Sequence, residues 1–370
     1  MKCGILTFHY AHNYGAVLQA YALKAWIQKQ GVEVDVIDYR NKFVANNYKY
    51  DLRKTISLKD LKNIKLLKEK IIFNINIPEY LKSWHKQWEG FEEFIKFTIR
   101  PVKICKDDLC NKYDVLIVGS DQIWTSWLTG GLDHMYFLDF PTVALKVSYA
   151  ASVFEGYIKP QEIEYFNKTL NNFHAVSVRE QELCQSLQRQ CHIDCCSVCD
   201  PIFLLSKEEI LALKSDKQLV TEKYILTYFV SEDLRFQKEV RKYARKEGLR
   251  LIEIHYYQKE RSMDYLADVS PSEFVWLVEN ASLILTNSFH GIALSIILEK
   301  QFFGVYTCDS RKNNVLKNLF LTDRHIKLID EIDRKKMTDY SMIREQLMKY
   351  RTKSEEYLYR VLCTDMKGNR

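Results

Sequence analysis

The sequence predicts an α/β protein of two domains, each built on a parallel sheet. Three observations carry that expectation. The chain opens as strand, helix, strand: an apolar run over residues 3–8, a helical repeat of Val17, Leu18, Tyr21, Ala22, Ala25 and Trp26, a stop at Gly31, and an alternating run over 32–37. Two strands joined by a helix run parallel, because the crossover returns the chain to the same end of the sheet. A second strand–helix series begins after Ser206-Lys207-Glu208-Glu209, where a serine with glutamate three places on marks a helix start. And 370 residues is long for a single core.

The elements follow in order. Between about 48 and 100 the chain is dense in lysine and carries Trp84, Trp88, Phe91, Phe94 and Phe97, the last four at helical spacing. This predicts a helical insertion packed on the first domain; a flap against a large acceptor or a lipid surface is the alternative. Strands are expected at 113–118, 143–150, 175–178 and 193–199, the last closed by Asp200-Pro201. The second domain reads as strands at 224–230, 249–255, 283–286 and 302–306. Helices separate them over 234–246 and 274–280, the latter after a second helix start at Ser270-Pro271-Ser272-Glu273. Residues 339–363 read as one long helix. The expected division is 1–205, 206–338, and a C-terminal helix and tail over 339–370.

Apolar residues make up 47% and charged residues 28%, ordinary for a soluble protein. A net charge of +6 suits an anionic small molecule or a membrane surface and is too weak to argue for nucleic acid. There is no signal-peptide pattern at the start and no apolar run near the ~20 residues of a membrane span. The ten cysteines are expected as reduced thiols. These readings place the chain in the cytoplasm, with peripheral contact at the inner face of the membrane as an added option.

The stretch Thr286-Asn287-Ser288-Phe289-His290-Gly291 joins an apolar strand to an apolar helix. Such turns hold anions on the unpaired first amides of the helix. Here Gly291 would let a ligand approach and His290 would carry a proton. A buried turn with an incidental histidine is the plain alternative. Ligands of open parallel sheets sit beyond the carboxyl ends of strands. Asn13, Ser120, Asp121, Ser152, Arg179 and Glu180 all stand at such ends. Arginine there grips a carboxylate or phosphate with its fork of donors, or pairs with a neighbouring acid.

Other motifs point away from chemistry. Cys191, His192, Cys195, Cys196 and Cys199 lack the second C-x-x-C half of a zinc site and fit a buried strand better. No phosphate-binding or dinucleotide-binding glycine loop and no G-x-S-x-G elbow occurs.

One ordered set of segments changes the weighing: Asn13-Tyr14-Gly15-Ala16-Val17-Leu18-Gln19-Ala20, Val118-Gly119-Ser120-Asp121-Gln122-Ile123-Trp124, Ser148-Tyr149-Ala150-Ala151-Ser152, Ser177-Val178-Arg179-Glu180, Asp200-Pro201 and Thr286-Asn287-Ser288-Phe289-His290-Gly291. Together they resemble the polysaccharide pyruvyl transferase family over roughly 3–310. The resemblance implies two Rossmann-like domains facing across a cleft, as in GT-B glycosyltransferases. It implies transfer of pyruvate from phosphoenolpyruvate, with no other cofactor and no metal, to two hydroxyls of a sugar or lipid-linked oligosaccharide as a ketal. The setting would be capsule, exopolysaccharide or cell-wall glycan synthesis. Arg179 and His290 match residues implicated in donor binding; Ser288 stands where characterised members carry arginine. On this reading His290 is the acid and Asp121 or Glu180 the base. Arg179, Ser288, Phe289, Gly291, Asn13, Gly15 and Ser120 bind the donor, its phosphate on the helix end at Gly291. A nucleotide-sugar glycosyltransferase and a non-catalytic partner in glycan assembly are the alternatives.

Overall fold

The computed structural model describes residues 1–47, 77–231, 233–255, 268–305, 310–332 and 337–363. Expectations for residues 48–76, Tyr306 and the tail 364–370 fall outside the described residues.

β1 (Lys2–Leu6) is the apolar opening run, buried from Cys3 onward. α1 (Tyr14–Lys29) crosses over to β2 (Glu33–Val36), which lies parallel to β1. α2 (Lys42–Asn47), α3 (Ile77–Phe94), a π-helical turn over Ile95–Ile99 and α4 (Lys106–Asn111) precede β3 (Val115–Val118). α5 (Ser126–Thr129) and β4 (Leu145–Ser148) follow, giving the parallel order β2-β1-β3-β4. α6 (Ile163–Leu170), β5 (Val176–Val178), α7 (Gln181–Gln190) and β6 (Cys195–Ser197) complete the first unit. β5 and β6 pair in parallel, and single bridges at Val147–Ala175 and Ala151–Val178 tie them to β4 and the segment just beyond it.

The expected helix start at Ser206 caps α8 (Lys207–Leu211), its hydroxyl and the Glu209 carboxylate each taking the other's amide. The second sheet contains β7 (Tyr224–Phe229), α9 (Leu234–Lys246), β8 (Arg250–His255), α10 (Pro271–Asn280), β9 (Leu283–Thr286), α11 (Phe289–Ile297), β10 (Phe302–Val305), α12 (Ser310–Asn318) and β11 (His325–Ile326). Its strands are all parallel in the order β11-β10-β9-β7-β8. α13 (Tyr340–Cys363) then returns to the first domain: Tyr357 donates to the Ser148 carbonyl at 2.8 Å and Ser354 accepts the Cys199 amide at 2.8 Å.

In each sheet the chain reverses direction beside its first strand, between β1 and β3 and between β7 and β9. Loops leaving such a pair splay to opposite faces and open a crevice at the carboxyl ends. The two crevices face each other across α1. Tyr14 fixes that arrangement: its ring stacks on Phe274 at 4.3 Å and its hydroxyl donates to the Val269 carbonyl at 2.8 Å.

The insertion helix packs as expected, with Phe91 and Phe94 buried and Trp88 against His12 at 3.9 Å between ring centres. It also touches the second domain, because Lys86 pairs with Asp268 and Gly90 lies where a Cβ would come 2.6 Å from that of Ser270. The cysteine run forms β6 and its flanks, with Cys191, Cys195 and Cys199 buried. Among the described residues no helix is long and apolar enough to cross a membrane.

Candidate active site between the domains

Asp200 lies at the centre. It follows β6 and caps the short helical turn Pro201–Leu204, with Oδ1 taking the Ile202 amide at 3.0 Å. That leaves Oδ2 for the interdomain space. Ser120 Oγ donates to it at 3.1 Å, Arg179 Nη1 donates at 2.5 Å, and His290 Nε2 stands 3.6 Å away. Asp200 is fully buried. Burial alone would raise its carboxyl, but the His290 imidazole and the Arg179 guanidinium outweigh that and hold it well below the usual carboxylate range.

Arg179 extends from the end of β5 and is buried. Besides Asp200 it reaches Glu180 Oε1 at 3.5 Å through Nε and Asp121 Oδ1 at 3.7 Å through Nη2. Burial would lower its guanidinium, yet Asp200, Glu180 and Asp121 together raise it above its ordinary value, so it stays charged. Its guanidinium carbon lies 5.0 Å from the centre of the Phe289 ring. Glu180 is wholly enclosed, with Oε1 accepting from Ser152 Oγ at 2.5 Å. Asp121 is the more open carboxylate and adopts a left-handed backbone, φ 75°, a conformation that aspartate tolerates better than most residues. It follows Gly119, whose φ of 112° starts the turn out of β3.

The second domain supplies the facing wall. Thr286 ends β9 and donates to the Tyr228 carbonyl at 2.5 Å while accepting the Ser288 amide at 3.0 Å. Phe289 and His290 form the first turn of α11 and are buried. Lys312 Nζ, also buried, donates to the Asn287 carbonyl at 2.8 Å and ties α12 to this loop. Arg311 brings a second guanidinium to within 5.8 Å of the Phe289 ring centre. The first domain meets this wall at Gly15, where a Cβ would come within 2.0 Å of His290 Nδ1. Only a residue without a side chain lets the imidazole lie on α1.

Ser120, Asp121, Arg179, Glu180, Phe289, His290 and Gly15 therefore converge. Three residues do other work. Asn13 Oδ1 caps α1 by taking the Gly15 and Ala16 amides at 2.9 and 3.3 Å. Ser288 Oγ caps α11 by taking the Gly291 amide at 3.3 Å. Gly291 faces the strand rather than the opening, since a Cβ there would lie 2.5 Å from Thr286 Oγ1. The expected close ligand approach at Gly291 is thus corrected, because that space belongs to helix–strand packing, and of the helix end expected to seat a phosphate the Gly291 amide is taken by the Ser288 cap.

Asp200, Arg311 and Lys312 are candidate site residues to which the sequence reading assigned no role. Asp200 carried a signal, an acid before proline at a strand end, which reads equally as a plain cap. Arg311 and Lys312 carried none, since their helix meets the loop only in three dimensions. Among the described residues His290 Nε2 and Arg179 Nη2, though buried, make no hydrogen bond. Buried donors left open in this way call for a partner from outside the chain, a water or a ligand.

Fold and site together define a GT-B-type, two-domain α/β protein whose arginine–aspartate–histidine cluster lies between the domains. The chain belongs to the polysaccharide pyruvyl transferase family, whose model matches residues 13–310. In fold it is similar to the UDP-GlcNAc 2-epimerase from Methanocaldococcus jannaschii, with 11% identity over 98% of this chain and 100% of that one and a TM-score of 0.50. E. coli heptosyltransferase WaaC is a weaker likeness, with 11% identity over 83% of this chain and 89% of that one and a TM-score of 0.35. No curated protein matches the chain in sequence.

Proposed function

We propose that this transferase moves pyruvate from phosphoenolpyruvate to two hydroxyls of a glycan sugar, forming a cyclic ketal. The observation that carries the reading is the buried Arg179–Asp200–His290 cluster with open donors on Arg179 and His290. A small, highly charged acid fits such donors, because a guanidinium fork meets a carboxylate or phosphate in two parallel hydrogen bonds. Arg179 and Arg311, both beside Phe289, are the cations for the donor's two anionic ends. Arg311 takes the part that the side chain at 288, a helix cap here, does not.

A proton passes to the methylene carbon of phosphoenolpyruvate and positive charge develops on the central carbon. A sugar hydroxyl bonds to that carbon and gives up its proton to a base. The bond to phosphate breaks, and a second hydroxyl closes the ring, its proton leaving with phosphate or base. His290 is the acid, with its Nε2 3.6 Å from Asp200 Oδ2. Asp121 is the base, being the carboxylate least enclosed. Glu180 is a positioning residue on this reading, since Ser152 and Arg179 surround it.

The test is incubation of the purified chain with phosphoenolpyruvate and a panel of cell-wall and capsule glycans. Phosphate release together with the mass of a pyruvyl ketal on the glycan supports the reading. Release of free nucleotide from nucleotide sugars, with no phosphate from phosphoenolpyruvate, would sink it.

A further inference from the structure

The loops that follow Asp121 and Ser152 line a cavity of about 130 Å³ that the transfer chemistry does not use. Its rim carries three large aromatic side chains well out in solvent: Trp127 is 52% exposed, Phe154 42% and Tyr157 52%. Trp127 and Phe154 meet as a corner, ring centres 5.4 Å apart and planes at 85°. The floor is polar. Ser126 Oγ donates to Glu162 Oε1 at 2.5 Å, Lys159 Nζ donates to Ser126 Oγ at 3.1 Å, and Lys159 lies 3.7 Å from Glu162.

Exposed aromatics grouped around fixed polar groups are the make-up of a binding pocket rather than of an ordinary surface. One ammonium and one carboxylate cancel in charge, so the floor offers donors and acceptors with no net preference for an ion. The flat apolar wall and hydroxyl-matching floor suit a neutral sugar ring, which presses its C–H face on an aromatic and turns its hydroxyls toward polar partners.

Position decides the rest. The same two loops that hold the cluster continue into this cavity, stitched by the Trp124 amide to the Ser152 carbonyl at 3.3 Å and the Phe154 amide to Thr125 Oγ1 at 2.8 Å. Phe154 is two residues beyond Ser152, at most about 7 Å of extended chain. We infer that the Trp127–Phe154–Tyr157 corner is a glycan subsite, holding a neutral sugar of the acceptor next to the unit that receives pyruvate. This rests on the proposed transfer to a glycan for its biological sense, but its test does not need the donor.

The test is binding of lactose, maltose, cellobiose and N,N′-diacetylchitobiose to the full chain, read by saturation-transfer NMR. Sedimentation of the same samples follows self-association. At least one sugar should bind, with Trp127→Ala weakening it about tenfold and Trp127→Phe restoring it to within about threefold, as expected when a ring face is the contact. No binding by any of the four, binding indifferent to Trp127→Ala, or a Trp127→Ala effect on self-association alone would each overturn the inference. A chain that binds sugar but releases no phosphate keeps this subsite and loses the proposed reaction; the reverse result does the opposite.

Discussion

Among the described residues three buried histidines face carboxylates, His9, His12 and His290, and the first and last of them are finished differently. His9, in the loop after β1, has Nδ1 3.2 Å from the Thr7 carbonyl and Nε2 3.1 Å from Asp38 Oδ1, and Asp38 also accepts from Arg40 Nε at 2.7 Å. Hydrogen bonds from His9 and Arg40 hold the Asp38 carboxyl well below its usual range against the opposing effect of burial. That pair is complete and pins the β1 loop to β2. His290, in the first turn of α11 after β9, stands 3.6 Å from Asp200, and its Nε2 makes no hydrogen bond among the described residues. A saturated buried pair is architecture; a buried pair with donors to spare is a seat for a ligand.

The largest test of that contrast is removal of each imidazole. His290→Ala should slow phosphate release from phosphoenolpyruvate by about a hundred- to ten-thousandfold, the span of a lost proton-transfer group. His9→Ala should lower the urea midpoint while leaving turnover within about threefold. Equal turnover losses in the two variants would erase the distinction.

Next comes Arg179→Ala. It leaves Asp200 and Glu180 buried without their cation, so stability should fall by about 3–5 kcal/mol in urea unfolding. A loss near that of a surface pair would mean that water already reaches the cluster. Gly15→Ala should follow, destabilising by about 1–3 kcal/mol through overpacking and pushing His290 off its seat, which turnover would register as well.

Acid sharpens the comparison further. The folded carboxyls of Asp38 and Asp200 lie below their unfolded value of about 3.9. Their contribution is therefore complete above that value and is lost as pH falls through it toward the folded values. Asp200→Asn should flatten the decline of the urea midpoint between about pH 5 and pH 3. An unchanged slope would remove Asp200 from the account. The smallest effect is expected from Ser288→Ala, about 1 kcal/mol for a lost helix cap, measured by thermal unfolding. A large rise in KM for phosphoenolpyruvate with little loss of stability would instead return Ser288 to the donor.

Much of this was legible in the residues. The run over 3–8 with its helical sequel, the paired helix starts at Ser206 and Ser270, and the apolar strand before Ser288 each yielded the element expected. These are local matters of periodicity and capping, carried by side chains within four positions of one another. Arg179 and His290 were legible as candidates because strand ends in parallel sheets point at the crevice.

What only the tertiary structure decided is who meets whom. Asp200 reads in sequence as a cap, and it is one through Oδ1; its second oxygen gathers Ser120, Arg179 and His290 from three distant segments. Gly291 reads as room for a ligand, yet the space is taken by Thr286, while the glycine that matters to His290 is Gly15, in the other domain. The physical reason is common to both. Backbone patterns are set by neighbours along the chain, but the partners of a lone pair or of an empty Cβ position are set by packing, and packing brings together residues that sequence order keeps tens to hundreds of positions apart.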